Sequence, residues 1–226
     1  MDTRLSQLLR TVVDEYVSTG EPVGSQSLVE KRRLAVSPAT IRHWFAALEA
    51  GGYLVQPHTS GGRLPTEKGF RFYVKTFVTA KPPNKHERDA IARILKTTGD
   101  RRIKQIAKTL SDLTGLAAVV GWKKTDTYYT GLSLLFAQPE FRDWQRVVSL
   151  TEVLDRLDDA LSHLRQNVFP SPEILLGREC PFGSACGVVI GSTGHAMIGI
   201  LGPMRMDYQR ALSLMMEVTK TTFLAS

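Results

Sequence analysis

Glycine and proline punctuate this 226-residue chain so closely between positions 20 and 74 that each helix or strand there is confined to a few turns or residues. Ahead of that block, Leu5, Leu8, Leu9, Val12, Val13, Tyr16 and Val17 recur at three- and four-residue steps. This is the stripe of an amphipathic helix, which should stop at Gly20 and cannot pass Pro22. Ser25 is placed to cap a short second helix that turns Leu28 and Val29 inward and ends near Lys31, Arg32 and Arg33. Ser37-Pro38 is the best-formed start signal in the chain. The serine accepts bonds from free first-turn amides, and the proline lacks the amide that would go unsatisfied there. The third helix is therefore expected from residue 38 to about residue 50. Gly51-Gly52 closes it, residues 53–56 form a short strand, residues 57–62 supply a turn, and Arg63 and Leu64 lead a return strand. Thr66 then caps a helix carrying Phe70, Tyr73 and Phe77.

Three helices followed by a hairpin with a basic tip is the order of a winged helix-turn-helix, and such a domain is expected over residues 1–79. In its third helix Ile41, Trp44, Phe45 and Leu48 share one face, so Pro38, Ala39, Thr40, Arg42 and His43 face outward near the amino end. A reading helix uses those positions in a major groove: threonine touches a thymine methyl or a phosphate, and arginine grips guanine or phosphate. The hairpin tip carries His58, Thr59, Ser60 and Arg63. Glycines there let backbone amides approach phosphates closely. The expected DNA-facing set is Ser25, Ser37, Ala39, Thr40, Arg42, His43, His58, Thr59, Ser60 and Arg63. Two alternatives stay open: an ordinary solvated face on the third helix, and a structural clamp of Arg63 on a carboxylate.

These residues carry a resemblance. Gly20-Glu21-Pro22-Val23-Gly24-Ser25, Ser37-Pro38-Ala39-Thr40-Ile41-Arg42, Leu48-Glu49, Gln56-Pro57-His58-Thr59-Ser60, Gly62-Arg63 and Pro65-Thr66-Glu67-Lys68-Gly69-Phe70-Arg71 are similar to the HrcA heat-inducible transcription repressors of bacteria. A separate match, Gly202-Pro203-Met204-Arg205-Met206-Asp207-Tyr208, fits that family's G-P-x-R-M-x-Y signature. The resemblance implies a repressor that binds an inverted-repeat operator in double-stranded DNA as a homodimer. It also implies chaperone genes as targets, inactivation by heat, and the GroE chaperonin as a partner. Against the family pattern, only residues 122–129 separate Val120 from Thr130-Gly131-Leu132, where the resemblance implies a dimerising insertion. His43 and Trp44 also replace the family's asparagine and its acidic or polar neighbour, so base readout is expected to differ from that of the family's operator.

The net charge of +7 is unevenly spread. Residues 1–78 hold ten Lys/Arg against seven Asp/Glu, residues 79–125 eleven against four, and residues 126–226 eight against eleven. The segment 81–85 reads as a linker, and residues 80–113 as a basic linker with helices of its own. Arg101, Arg102, Lys104 and Lys108 decorate a helix whose Ile103, Ile106, Ala107, Leu110 and Leu113 point inward. Those cations either flank DNA or form a solvated face. Residues 116–121 and 129–136 read as strands, residues 139–166 as helix, and residues 174–176, 186–190 and 195–201 as strands. Gly191-Ser192-Thr193-Gly194 reads as a hairpin turn, and a last helix over 207–223 faces Leu212, Met215, Val218 and Thr219 inward. Residues 114–226 thus read as an α+β domain with an antiparallel sheet, similar to the GAF-like fold that the resemblance implies, in reduced form.

Other function classes are disfavoured. No apolar run approaches the ~20 residues of a membrane span, and residues 1–10 lack the apolar core of a secretory signal, so the cytoplasm is expected. Cys180 and Cys186 are spaced for neither a common zinc knuckle nor a C-x-x-C pair, and two reduced thiols are expected. His195 reads as a structural histidine and Asp155, Asp158 and Asp159 as a solvated face. No nucleophile-base set stands out, so neither catalysis, cofactor nor metal is expected. The reading from another class is a regulator of unrelated genes that senses a ligand or partner through its second domain. A third is a protein that binds DNA without base preference, should His43 and Trp44 have abolished readout.

Overall fold

The computed structural model of the chain describes residues 1–33, 35–58, 61–94, 99–122, 126–141, 160, 169–193 and 196–223. Their contacts divide into two compact units, Met1–Val78 and Thr79–Ser226. The fold is α+β with antiparallel sheets.

In the first unit α1 (Thr3–Thr19) buries Leu8, Leu9, Val12 and Val13 and ends on Gly20, whose left-handed backbone donates to the Tyr16 carbonyl. The second helix, α2 (Ser25–Arg32), buries Leu28. Gly24, not Ser25, is its N-cap, and no side chain caps it. Ser25 is the first helical residue, so its hydroxyl is past the position from which it could accept from the first turn. The third helix, α3 (Pro38–Ala50), starts on Ser37, whose Oγ accepts from the Thr40 amide at 3.1 Å. Strands β1 (Leu54–Val55) and β2 (Leu64–Pro65) pair antiparallel, and α4 (Glu67–Phe77) is capped by Thr66.

The hairpin has a third partner. Val23 and Arg63 exchange both backbone hydrogen bonds at 2.9 Å, so the chain after Gly20 lies along β2. This assigns Gly62 a role other than phosphate approach: a Cβ there would meet the Val23 and Pro22 backbone at 2.6 and 2.7 Å. At the base of the unit, Glu15, 8% exposed, meets Lys31 Nζ at 2.8 Å and Arg32 Nη2 at 3.1 Å. The Lys31 ammonium, with Arg32 beside it, holds the Glu15 carboxyl below the usual range against the opposing effect of burial.

The second unit is built on a five-stranded sheet in the order β4-β3-β7-β6-β5, every neighbouring pair antiparallel. Its strands are β3 (Ala117–Gly121), β4 (Thr127–Thr130), β5 (Glu173–Leu176), β6 (Cys186–Ser192) and β7 (Met197–Pro203). Its described α-helices are α5 (Lys85–Ile94), α6 (Gly99–Thr114), α7 (Leu132–Phe136) and α8 (Tyr208–Phe223). One core cluster joins Val119, Val188, Ile190 and Leu201 to Leu135, Phe169, Phe182 and both cysteines. Cys180 and Cys186 are free thiols, and burial pushes each up to about 12.

The segment expected to be a linker is pinned to α8: the Lys81 amide donates to Ser213 Oγ at 3.0 Å and the Thr79 amide to Gln209 Oε1 at 3.1 Å. Asn84 and Glu87 then form a reciprocal capping box at the start of α5, with bonds of 2.9 and 3.0 Å. The strand expected over 129–136 is half helix. Gly131 takes a left-handed backbone (φ 75°) and packs where a Cβ would overlap Ser111 Oγ, so the chain leaves the sheet there and α7 begins. Half of the turn expected over 191–194 is strand, and Gly194 lies outside the described residues. Strand β6 runs through Ser192, and Gly191 sits under Met215 and Thr219, where a Cβ would be 3.0 Å from each. On α8 the fully buried positions include Ala211, Leu214, Met215 and Val218, while Leu212 is half-buried. Of the helix expected over 139–166, the described part is a single 3-10 turn, Pro139–Phe141, and an isolated helical Ala160; the rest, with Asp155, Asp158 and Asp159, lies outside the described residues, as does His195.

The segment from Gly202 to Tyr208 is structural throughout. Gly202 leaves room for Met206, the Met204 amide donates to Ala185, and Arg205 pairs with Glu140. Asp207 Oδ1 accepts from the Arg210 amide at the start of α8. Tyr208, 1% exposed, donates to the Met204 carbonyl at 2.8 Å. Gly187 on β6 has no Cβ to collide with the tyrosine hydroxyl.

Candidate nucleic-acid interface

The geometry of α3 follows from its cap and its stripe. Ile41, Phe45 and Leu48 are buried and Trp44 is half-buried, so the opposite face carries exposed Ala39, Arg42 and His43. Ser37 is exposed at the N-cap, and its Oγ lies 3.0 Å from the half-buried Thr40 hydroxyl. The two hydroxyls therefore form a pair fixed to the first turn, beside the positive end of the helix dipole. This turn presents hydroxyls, a methyl, a guanidinium and an imidazole together. Such a surface can donate to phosphates and base edges.

The remaining candidates are placed less uniformly. Ser25 is half-buried at the start of α2. His58 is exposed, and its carbonyl accepts from the Gly61 amide at 2.8 Å, closing the turn at the hairpin tip. Thr59 and Ser60 lie outside the described residues.

Arg63 occupies the clamp geometry. Its Nε and Nη2 each lie 3.2 Å from a carboxylate oxygen of Glu49, its Nη1 donates to the Gly61 carbonyl at 3.2 Å, and its guanidinium carbon sits 5.8 Å from the Phe45 ring centre. The arginine side chain is 19% exposed and the glutamate 25%. Phe45 and Glu49 are both on α3, so this one guanidinium ties the hairpin to the helix. The sequence carries Glu49 in the Leu48-Glu49 match and leaves the clamp open without naming its carboxylate; the pairing depends on the hairpin folding back.

Other cations of the first unit are also neutralised: Lys31 and Arg32 by Glu15, and Arg71 by Glu67 at 2.8 Å. Arg33, with a left-handed backbone (φ 49°), is exposed at the end of α2. Among the described residues no group of three or more His, Cys, Asp or Glu could hold a metal ion. No described helix is long and apolar enough to cross a membrane.

Comparison with known proteins bears on both units. A family model described as the HrcA protein C terminal domain matches residues 88–212. The heat-inducible transcription repressor HrcA of Acidothermus cellulolyticus is 47% identical over 128 residues, 56% of this chain and 38% of that protein. The protein of the same name from Thermobifida fusca is 37% identical over 171 residues, 74% of this chain and 50% of that protein. The chain thus spans half or less of the length of these relatives. A solved structure described as a hypothetical protein shares the fold at a TM-score of 0.76 and 17% identity, covering 100% of this chain and 98% of that one. With the family model matched across more than half of its length, the chain belongs to the HrcA family.

Proposed function

We propose that the first unit is a winged-helix DNA-binding domain and that the chain acts as a sequence-specific transcriptional repressor of heat-shock genes. It binds an inverted-repeat operator as a homodimer through Ser37, Ala39, Thr40, Arg42 and His43, with His58, Thr59 and Ser60 at the hairpin tip and Ser25 at the flank. Arg63 serves the same interface by holding the hairpin against α3. The observation that carries this reading is the first turn of α3: a capped, exposed polar face backed by a fully apolar one. The second unit is read as a reduced GAF-like domain with a dimerising role, and the protein as a cytoplasmic binding protein that catalyses nothing. Heat, or a shortage of free GroE chaperonin, relieves repression by depleting a marginally stable DNA-competent dimer. A gel-shift titration over salt and temperature tests this. Preference for chaperone-promoter DNA that is lost on mild heating is expected, and equal binding to all sequences overturns it.

A second reading rests on an open cavity of about 300 Å³ behind α3, lined by Arg4, Gln7, Leu8, Val36, Ile41 and Trp44 among others. A small apolar ligand there would press on the helix that reads DNA, making the protein a ligand-sensing regulator. Quenching of fluorescence by a candidate ligand, absent in Trp44→Phe, would support it.

A further inference from the structure

We infer that one face of α6 is a second nucleic-acid surface, which engages the phosphate backbone without reading sequence. The inference rests on the DNA-binding reading above and extends it to the second unit.

Arg101, Lys104 and Lys108 are spaced three and four residues apart, so they share one face of α6 and span about 10 Å of its axis. All three are exposed, and none makes an ion pair among the described residues. This sets them apart from neighbouring cations. Arg210 is held by Glu87 at 2.9 Å, Arg205 by Glu140, and Arg93 by the Asp89 carbonyl at 3.2 Å. The segment has few acids: Glu87 is already consumed by Arg210 and by the Asn84 amide, and exposed Asp112, one turn beyond Lys108 on the same face of α6, is the one carboxylate that shares the row among the described residues.

Lys104 is also held in place. Its ammonium lies 5.7 Å from the Trp122 ring centre and 5.6 Å from that of Tyr128, two residues brought side by side by the pairing of β3 with β4. Two aromatic faces limit the rotamers of an otherwise floppy cation, so less entropy is lost when it meets an anion.

The chemistry favours a polyanion over an acidic protein. Protein partners dock on buried apolar anchors inside a polar rim. Among the described residues the exposed large apolar side chains are Met1, Val55, Tyr129 and Leu134, and Tyr129 pairs with Val119 on the sheet face opposite Tyr128. The α6 stripe therefore offers charge without an apolar anchor. Duplex DNA carries one charge per about 1.7 Å of axis, so a 10 Å row of cations meets ample phosphate.

Fluorescence anisotropy with a labelled 30-base-pair duplex of random sequence, titrated from 50 to 300 mM KCl, tests the assignment. Glutamine keeps helix propensity at exposed positions, and circular dichroism checks folding. Arg101→Gln with Lys108→Gln is expected to make the plot of log affinity against log salt shallower by about 1.8, and adding Lys104→Gln by about 2.7. Affinity at 0.1 M salt should fall by at least about ten-fold in the double variant. Arg178→Gln with Lys220→Gln removes the same charge from exposed positions elsewhere in the unit and should leave the slope unchanged. An unaltered slope in the α6 variants, or an equal loss in the control pair, overturns the inference while leaving DNA binding intact. Failure of the parent reading looks different: the unsubstituted chain would bind no duplex at any of these salts, and the α6 surface would fall with it.

Discussion

Replacing Glu49 by glutamine separates two roles for Arg63 that any substitution of Arg63 itself would confuse. In the clamp, the guanidinium meets both oxygens of Glu49 at 3.2 Å, with the side chains 19% and 25% exposed. At an effective dielectric of about 20, two charges about 4 Å apart attract by about 4 kcal/mol, and desolvation of both groups takes back much of it. Exposed pairs contribute about 0–1 kcal/mol. Partial burial and two-point geometry place this pair at about 1–2 kcal/mol. If the hairpin must be docked on α3 to bind DNA, Glu49→Gln weakens binding by about 5- to 30-fold, each 1.4 kcal/mol being about ten-fold. If Arg63 is instead a phosphate contact restrained by Glu49, the same substitution frees a cation and removes an anion. Binding then tightens, and the salt slope steepens by about 0.9. The signs are opposite, and the general electrostatic effect of losing an acid works against the expected result. Gel-shift affinities for Glu49→Gln and the parent chain, taken with their melting temperatures, decide the matter. Equal or tighter binding refutes the clamp.

Three further outcomes follow from buried groups. Because the Glu15 carboxyl is lowered in the folded state, its contribution is present above its unfolded value of about 4.3 and lost as pH falls through the folded one. Glu15→Gln should therefore lower the urea midpoint of the first unit at pH 7, and the difference should shrink as the pH is taken down below about 4. The Cys180 and Cys186 thiols, pushed up to about 12, should resist alkylation at pH 8 until the second unit unfolds, so labelling should track urea; rapid labelling of the native protein would refute this. Gly187→Ala should cost about 1–3 kcal/mol by driving a methyl into the Tyr208 hydroxyl. Combining it with Tyr208→Phe should cost less than the sum of the two single changes in a denaturant double-mutant cycle, and strict additivity would sink the steric account.

Much of the first unit was legible because its signals are local. The Ser37 cap reaches three residues to Thr40, Thr66 reaches three to Gly69, and Gly20 four back to Tyr16. Each can be recognised without knowing what else is nearby. The elements of the second unit that depart from expectation have the opposite property. Thr130-Gly131 continued a plausible strand until Ser111 and Leu116, well away in sequence, turned out to occupy the space beside Gly131. Gly191 resembled a turn residue, yet it lies in β6 because Met215 and Thr219 of α8 come down on it. In both cases the glycine is plain in the sequence and its partner is not, since close approach is a tertiary event.

The same distinction governs the charges. In sequence, Lys31, Arg32, Arg42, Arg63, Arg101 and Lys108 are equivalent candidates for phosphate contact, and counting them overstates any interface. What separates them is which carboxylate the fold brings near. Glu15 takes Lys31 and Arg32 from sixteen and seventeen residues away, and Glu49 takes Arg63 from fourteen. Subtracting those pairs leaves Arg42 on the outward face of α3 and the row on α6. Helical spacing already indicated that each of these faces solvent. The cations worth testing against DNA are therefore those for which an outward position, readable from periodicity, coincides with the lack of a carboxylate partner among the described residues, visible only in the fold.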